Sequence, residues 1–211
     1  NGQTEIADAI AGLIKADSGR IRLNGEDITD SAIRDRMEAG ISYVPEDRQN
    51  VGLIIDFSLK DALAVRKYYR MGFQKRGRLD DQVFFAYSQR LIDDFDIRSS
   101  NGSKTIVRSM SGGNQQKAII AREVDLDSEL NIFVQPTRGL DVGAIENIHE
   151  QIIRQRDRGA AELLISLELE EVMALADTIG VMYSGRMNKI AAADSFTASK
   201  LGEYMMGVGR E

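Results

Sequence analysis

The sequence predicts an α/β domain in which a mostly parallel sheet is combined with an antiparallel β element and an inserted helical subdomain. Strand-like and helix-like segments alternate over residues 130–183, which is typical of parallel βα units. Residues 19–25 alternate apolar and polar side chains and end on Asn24-Gly25, a dipeptide typical of a tight hairpin turn. Residues 58–97 follow a helical pattern, are rich in charge and contain no convincing strand.

The N-terminal part predicts two helices and a strand around this hairpin. Apolar side chains recur at helical spacing over residues 4–13, directly after Gly2. Residues 31–39 are also predicted to be helical, and residues 41–44 to form a short strand that Pro45 ends.

The C-terminal part predicts further βα units. Residues 114–123, after Gly112-Gly113, are predicted to be helical, and residues 130–134 to form a buried strand. A helix, a strand, a helix and a strand then follow at residues 143–158, 162–166, 168–176 and 178–183.

Composition and charge argue against several classes of protein. The 211 residues suffice for one α/β domain with an insertion, and 43% hydrophobic with 28% charged residues is ordinary for a soluble globular chain. The net charge of −6 argues against binding nucleic acid through its phosphates. Cysteine is absent, which excludes disulfides and thiolate metal sites, and no spacing of His, Asp or Glu resembles a stable metal site. No apolar run approaches the roughly 18 residues of a spanning helix, so a membrane role would require a partner.

Gly2-Gln3-Thr4 opens a helix in the manner of the end of a phosphate-binding loop. In such loops backbone N–H groups and the helix N-terminus hold phosphates, a lysine reaches the terminal phosphates and a hydroxyl binds Mg²⁺. Here Gln3 occupies the lysine position, and the Thr4 hydroxyl is a weak candidate for a metal ligand. Taken alone, an ordinary turn into a helix explains the pattern equally well.

A second glycine turn, Ser111-Gly112-Gly113, is more specific. It presents a hydroxyl and two unobstructed amides at the positive end of a helix, which suits a γ-phosphate. A flexible turn between two helices is the alternative for this motif by itself.

In combination these motifs resemble the ATP-binding-cassette family over essentially the whole chain. The matching segments are residues 2–4, 43–46, 110–116, 132–137, 139–141 and 166–168. More narrowly, residues 43–48, 52–59 and 134–144 resemble the second cassette of fused double-cassette subunits that drive the import of simple sugars and nucleosides. The segment 135–138, Gln-Pro-Thr-Arg, is similar to the nucleoside branch of that group.

The resemblance implies a P-loop NTPase-like core and a division of the chain into three segments. Residues 1–56 would be a partial nucleotide-binding core from the phosphate-loop remnant to the Q-loop region, residues 57–109 the helical subdomain, and residues 110–211 the signature helix with the remaining α/β core. The N-terminal strand that feeds the phosphate loop in the family would be missing from the middle of the sheet. Open strand edges would then invite pairing with another chain.

Departures from the family pattern concentrate at the chain's own nucleotide site. The resemblance places Gln3 at the phosphate-loop lysine, Val134 at the Mg²⁺-holding aspartate and Gln135 at the glutamate that polarises water. It also places Leu167 at the switch histidine and Glu46 at the glutamine that links the site to the helical subdomain. Phosphoryl transfer depends on positioning and charge cancellation, so we expect almost no hydrolysis at this site, with weak or no nucleotide binding.

The family's signature motif, Ser111-Gly112-Gly113 with Gln115, is in contrast retained, and its glycine turn is called the signature turn below. In the family this motif serves the nucleotide that the opposite cassette holds, so ATP and Mg²⁺ would act at a composite site with a partner cassette. The nucleotide-binding candidates that the resemblance implies are Gly2, Gln3, Thr4, Ser111, Gly112, Gly113, Gln115 and Asp141.

The resemblance also implies the partners and leaves alternatives open. The partners would be the other cassette of the same polypeptide, membrane permease subunits and, indirectly, an extracytoplasmic solute-binding protein, at the cytoplasmic face of the membrane and without nucleic acid. Asp56 and Phe57 would help to form the groove that receives the permease. One alternative is a structural or regulatory cassette that never uses ATP productively. Another is a soluble cassette protein acting on ribosomes or DNA, against which the acidic balance counts.

Overall fold

The predicted α/β architecture is present in the computed structural model, which describes residues 2–75 and 77–208. These residues fall into two units of dense internal contact. The first unit comprises residues 1–43, 128–135 and 156–211, and the second residues 44–127 and 136–155, in each case as far as they are described. Residues 1, 76 and 209–211, which the predicted segments include, lie outside the described residues.

The predicted elements occur in the predicted order, with bounds that differ by a few residues. The strands are β1 Arg22–Leu23, β2 Glu26–Asp27, β3 Ile41–Val44, β4 Gln74–Lys75, β5 Arg78–Leu79, β6 Leu130–Val134, β7 Ala161–Ile165, β8 Thr178–Tyr183 and β9 Arg186–Ala192. The helices are α1 Gln3–Ala11, α2 Ile33–Glu38, α3 Leu59–Ala64, α4 Asp81–Asp94, α5 Gly112–Val124, α6 Val142–Asp157, α7 Leu169–Leu175 and α8 Ala198–Met205. Of these elements, β4, β5, β9 and α8 were not predicted.

A three-stranded sheet in the order β3-β6-β7 organises the first unit. β6 and β7 pair in parallel from Leu130 opposite Ala161 to Val134 opposite Ile165, which confirms the predicted parallel units. The central strand β6 buries four of its five residues, whereas no residue of β7 at the edge is fully buried. α1 packs its alanines on this sheet, in an apolar cluster of Ala7, Ala11, Ile28, Ile41, Ile132 and Val134.

Two antiparallel hairpins complete the first unit. β1 and β2 pair across Asn24 and Gly25, whose φ angles of 51° and 87° are those of the predicted tight turn. β8 and β9 form a second hairpin, turning at Ser184 and Gly185, which the sequence did not reveal as a pair.

The second unit is largely helical. α3, α4 and α5 pack on one another around buried aliphatic side chains, and each helix is capped at its N-terminus by a serine or aspartate that accepts a backbone hydrogen bond. The segment predicted to lack strands contains the small hairpin β4-β5. Its two-residue strands are exposed and too short for an alternating pattern, which is why the sequence shows no strand there.

Candidate functional site

The N-terminal turn of the first unit has the backbone shape of an anion-binding turn but no cationic side chain at its start. Gly2 caps α1 with a left-handed backbone, φ 98°. A Cβ at Gly2 would lie 3.0 Å from the Met182 methyl carbon and 3.3 Å from Gly185 Cα, so glycine is required here. Gln3 and Thr4 follow, half-buried, and their backbone N–H groups lie at the positive end of the helix.

The carboxyl end of β6 provides no acid. Val134 is fully buried in the apolar cluster with α1. Gln135 has a φ of 50°, donates its backbone N–H to the Ile165 carbonyl at 2.8 Å, and accepts at Oε1 from the Leu167 N–H at 3.4 Å. The Leu167 side chain is 58% exposed and offers no polar atom. The structure therefore brings Val134, Gln135 and Leu167 together at one end of β6 and β7, and these side chains do not fit a Mg²⁺ ion.

Across residues 2–75 and 77–208, no group of three or more His, Cys, Asp or Glu side chains is arranged to hold a metal ion.

The glycine turn of the second unit is intact and open. Ser111 caps α5, and its Oγ accepts from the backbone N–H of Asn114 at 3.4 Å and from its side-chain amide at 2.9 Å. A Cβ at Gly113 would approach nothing closer than Leu140 Cδ2 at 3.9 Å, so the space beside the Gly113 Cα is open. The turn thus presents a hydroxyl and backbone amides at a helix N-terminus.

A cavity of about 370 Å³ lies against this turn. Its volume is that of a small-ligand site. At one side Asp96 accepts from Lys117 and Arg98, and these two cations hold the pKa of the Asp96 carboxyl below its usual range, with the Lys117 hydrogen bond as the main cause. The lining residues are Asp96, Arg98, Ser111, Gly113, Asn114, Lys117, Gly139, Leu140, Asp141, Gly143 and Ala144.

Asp141 and Gln115 have different positions relative to this cavity. Asp141 lines it and caps the next helix, because its Oδ1 accepts from the Ala144 N–H at 2.9 Å. Gln115 lies below the turn, 2% exposed, and donates its side-chain amide to the Val107 carbonyl at 3.0 Å. Gln115 therefore supports the turn, whereas Ser111, Gly113 and Asp141 face the cavity.

Comparison with known proteins identifies this arrangement. The family model described as ABC transporter matches residues 1–138. The chain belongs to the ABC transporter family. Among solved structures, a nucleotide-free ATP-binding cassette from an ABC transporter covers 98% of this chain and 80% of its own at a TM-score of 0.74, with 18% identity. The ATP-binding subunit of another ABC transporter covers 97% and 83% at a TM-score of 0.77, with 20% identity. The fold class predicted from the sequence is therefore confirmed as that of an ABC ATPase.

Curated relatives within the ABC family are closer in sequence. The nucleoside import ATP-binding protein NupA of Lactococcus lactis subsp. cremoris is 44% identical over 207 residues, 98% of this chain and 41% of that protein. The guanosine import ATP-binding protein NupO of Bacillus subtilis is 44% identical over 98% of this chain and 40% of its own. The ribose import ATP-binding protein RbsA of Lactococcus lactis subsp. lactis is 32% identical over 98% and 41%. The chain spans about two fifths of the length of these relatives.

None of the helices in the described residues of this ABC chain has both the length and the apolar character needed to cross a bilayer.

Two arginines near the Ser111–Gly113 turn make contacts that the sequence did not predict. Arg138 forms an ion pair with Glu46, which the sequence resemblance predicts to stand at the family's glutamine position. Arg48 donates to the backbone carbonyls of Gly112 and Arg138. Both arginines lie in motifs that resemble the family, but no periodicity or spacing in the sequence indicates that they meet.

Proposed function

We propose that this chain is the ATP-binding domain of an importer for nucleosides or simple sugars, and that it is the second cassette of a double-cassette subunit. Its signature turn completes the ATP site of the partner cassette, while its own phosphate loop is hydrolytically inactive. The observation that carries the proposal is the contrast between the open Ser111–Gly113 turn and the buried, uncharged side chain of Val134.

The transported class rests on the relatives. The two at 44% identity are named for nucleoside and guanosine import, and a more distant one for ribose import. All three relatives are more than twice the length of this chain, which is consistent with another cassette in the same polypeptide.

The signature turn has the chemistry that a terminal phosphate requires. The Gly112 and Gly113 amides and the Ser111 hydroxyl lie at the N-terminus of the 13-residue helix α5, where the helix dipole favours negative charge. The cavity beside them is also lined by Arg98 and Lys117. ATP, with Mg²⁺ held by the partner cassette, would supply the phosphoryl chemistry, and this chain would bind and orient the phosphate.

The chain's own loop lacks the groups that hydrolysis needs. Gln3 and Leu167 are uncharged, Val134 cannot ligate a metal, and the Gln135 amide is a poor base. The proposal therefore assigns Gly2, Gln3 and Thr4 at most weak nucleotide binding.

The wider assembly follows from the same proposal. The helical segment 57–109, with Asp56 and Phe57 at its start, carries the surface for the permease subunits. The complex would lie at the cytoplasmic face of the membrane, with a solute-binding protein as an indirect partner. Phe57 is 40% exposed and is available for such a contact.

Substitutions in the signature turn test the proposal in the full-length subunit assembled with its permease. Ser111→Ala removes one donor to a developing charge, which typically costs about 2.7–4 kcal/mol, or roughly two to three decades in rate. Gly113→Glu adds bulk and a negative charge, and Gly113→Gln separates these two effects. Ser109→Ala is the matched control, because the Ser109 hydroxyl is bonded within its own turn. Gln3→Lys should change little, because the own site would still lack a metal ligand and a base.

The measurements are the ATPase rate and solute uptake. If Ser111→Ala and Gly113→Glu both leave the rate unchanged while substitutions in the partner cassette abolish it, the composite site is wrong. A structural or regulatory cassette would then be the better account.

A further inference from the structure

Residues Arg48–Gly52 form a single turn of π-helix directly after the segment that resembles the Q-loop region. The turn is fixed at its start, because the Asp47 carboxylate accepts from the backbone N–H groups of Gln49 and Asn50 at 3.1 and 3.0 Å. Hydrogen bonds from Asn50, first of all from its side chain, keep the pKa of Asp47 below its ordinary value, so the cap stays charged near neutral pH. Short π-helical turns are often found at functional sites.

This turn lies along the signature helix α5. Arg48 Nη1 donates to a carbonyl of the glycine turn at 3.1 Å, and the Gln49 amide donates to a glutamine one turn later at 3.3 Å. At the other end, a Cβ on Gly52 would lie 2.6 Å from an isoleucine methyl, and the Gly52 carbonyl accepts from a buried arginine at 2.8 Å. The four α5 residues contacted are Gly112, Gln115, Ile119 and Arg122, whose spacing of three, four and three places them on one helix face.

Arg48 also contacts a second segment beside the cavity. Its Nη2 donates to the Arg138 carbonyl at 2.6 Å, directly before the residues Gly139–Asp141, which line the cavity together with Ser111 and Gly113. Burial, and then the positive charge of Arg138, lower the pKa of Arg48, but a guanidinium remains charged at neutral pH. One planar cation therefore connects two backbone turns that are 26 residues apart in sequence, at Gly112 and Arg138.

We propose that Arg48 is a positioning residue that holds these two turns in the arrangement needed for the partner-bound nucleotide. The inference rests on the proposed function of the signature turn. Groups that stabilise a transition state must be placed within fractions of an ångström, and a displacement of about 1 Å can cost about a hundredfold in rate. A lysine keeps the charge of Arg48, but its single ammonium lacks the planar fork that spans two carbonyls.

The test compares Arg48→Lys with Arg154→Lys in the full-length subunit assembled with its permease. Arg154 is the matched control, because it lies on an exposed face of α6 and pairs only with Glu150 among the described contacts. For Arg48→Lys we expect kcat to fall by about tenfold or more, with a much smaller change in the KM for ATP. KM should hold because the partner cassette supplies most of the nucleotide binding. Arg48→Gly should regain part of its activity when guanidinium chloride is added at a low, non-denaturing concentration.

Hydrogen exchange gives a readout that does not depend on catalysis. Arg48→Lys should accelerate amide exchange in both turns, residues 111–116 and 137–141, while the rest of α5 is unaffected. Full activity of Arg48→Lys, or unchanged exchange at both turns, would overturn the role of Arg48. Should Ser111→Ala and Gly113→Glu prove neutral, the proposed function fails, and the exchange result alone then decides whether Arg48 holds the turns.

Discussion

Substitution of Val134 gives the most direct test of whether this position of the chain's own site is part of the apolar core. The family pattern places an aspartate here, but the Val134 side chain is 0% exposed and lies among Ala7, Ile41 and Ile132. Val134→Asp would place a carboxylate in this apolar cluster. An uncompensated buried charge costs about 3–5 kcal/mol, and the lost apolar contacts add to that cost. Since domains are stable by about 5–15 kcal/mol, the change should be severe.

Val134→Asn is the matched control, because asparagine has the shape of aspartate without its charge. A neutral buried amide that lacks a partner should cost about 1–3 kcal/mol. Burial raises the pKa of the introduced carboxyl in Val134→Asp, so that variant should recover stability at lower pH as the carboxyl becomes neutral. The Val134→Asn penalty should stay constant over the same range.

Urea unfolding of the three chains at about pH 7.5 and about pH 5.5 measures both effects. A Val134→Asp cost of less than about 1 kcal/mol at neutral pH, or a penalty equal to that of Val134→Asn at both pH values, would contradict a fully buried apolar site at Val134. A confirmed penalty would show that an aspartate at this position destabilises the fold of this chain.

Three further predictions concern activity, pH dependence and the permease contact. The isolated chain should release almost no phosphate from ATP with Mg²⁺ present, and turnover of about 1 s⁻¹ would contradict an inactive own site. Burial raises the pKa of Glu162 to about 7, although a hydrogen bond from Asn131 acts to lower this pKa. The protonated Glu162 side chain therefore contributes stability that is fully present below the ordinary carboxyl pKa and is lost as pH rises through about 7. The free energy of unfolding of Glu162→Gln should therefore rise by about 1–2 kcal/mol relative to wild type between acidic and alkaline pH, after allowance for partial exposure. An unchanged pH dependence in urea unfolding would refute this. A cysteine at Phe57 should cross-link to the permease whereas one at the exposed Met187 should not, and the reverse result would move the docking surface elsewhere.

Much of the fold follows from local sequence patterns. Asn24-Gly25 specifies a tight turn because both residues tolerate a positive φ, and the hairpin forms where it was predicted. The apolar run of residues 130–134 predicted a buried strand, and β6 is the central strand of its sheet. A helix was predicted over residues 114–123, and α5 begins two residues earlier, at Gly112, because the Ser111 side chain accepts from the backbone N–H of Asn114. The family assignment followed from several such motifs in one order.

The sequence also predicted the departures from the family pattern at the chain's own nucleotide site. Gln3, Val134, Gln135 and Leu167 are chemically unable to replace the groups expected at those positions. That the own site is inactive remains a prediction until the ATPase rate is measured. The structure adds a physical reason for one of these residues, because Val134 is part of the apolar core.

Only the tertiary structure decided which charged and polar side chains meet. Arg48 reaches carbonyls 64 and 90 residues away, and the Glu46 carboxylate pairs with an arginine 92 residues away. The burial that raises the pKa of Glu162 likewise depends on strands from distant parts of the chain. Periodicity reports which face of an element is buried, but it contains no information about the partner across a long loop. The sequence therefore determined the family and most of the helices and strands, and it predicts the loss of catalytic groups. The contacts of Arg48 and Glu46, in contrast, exist only after folding.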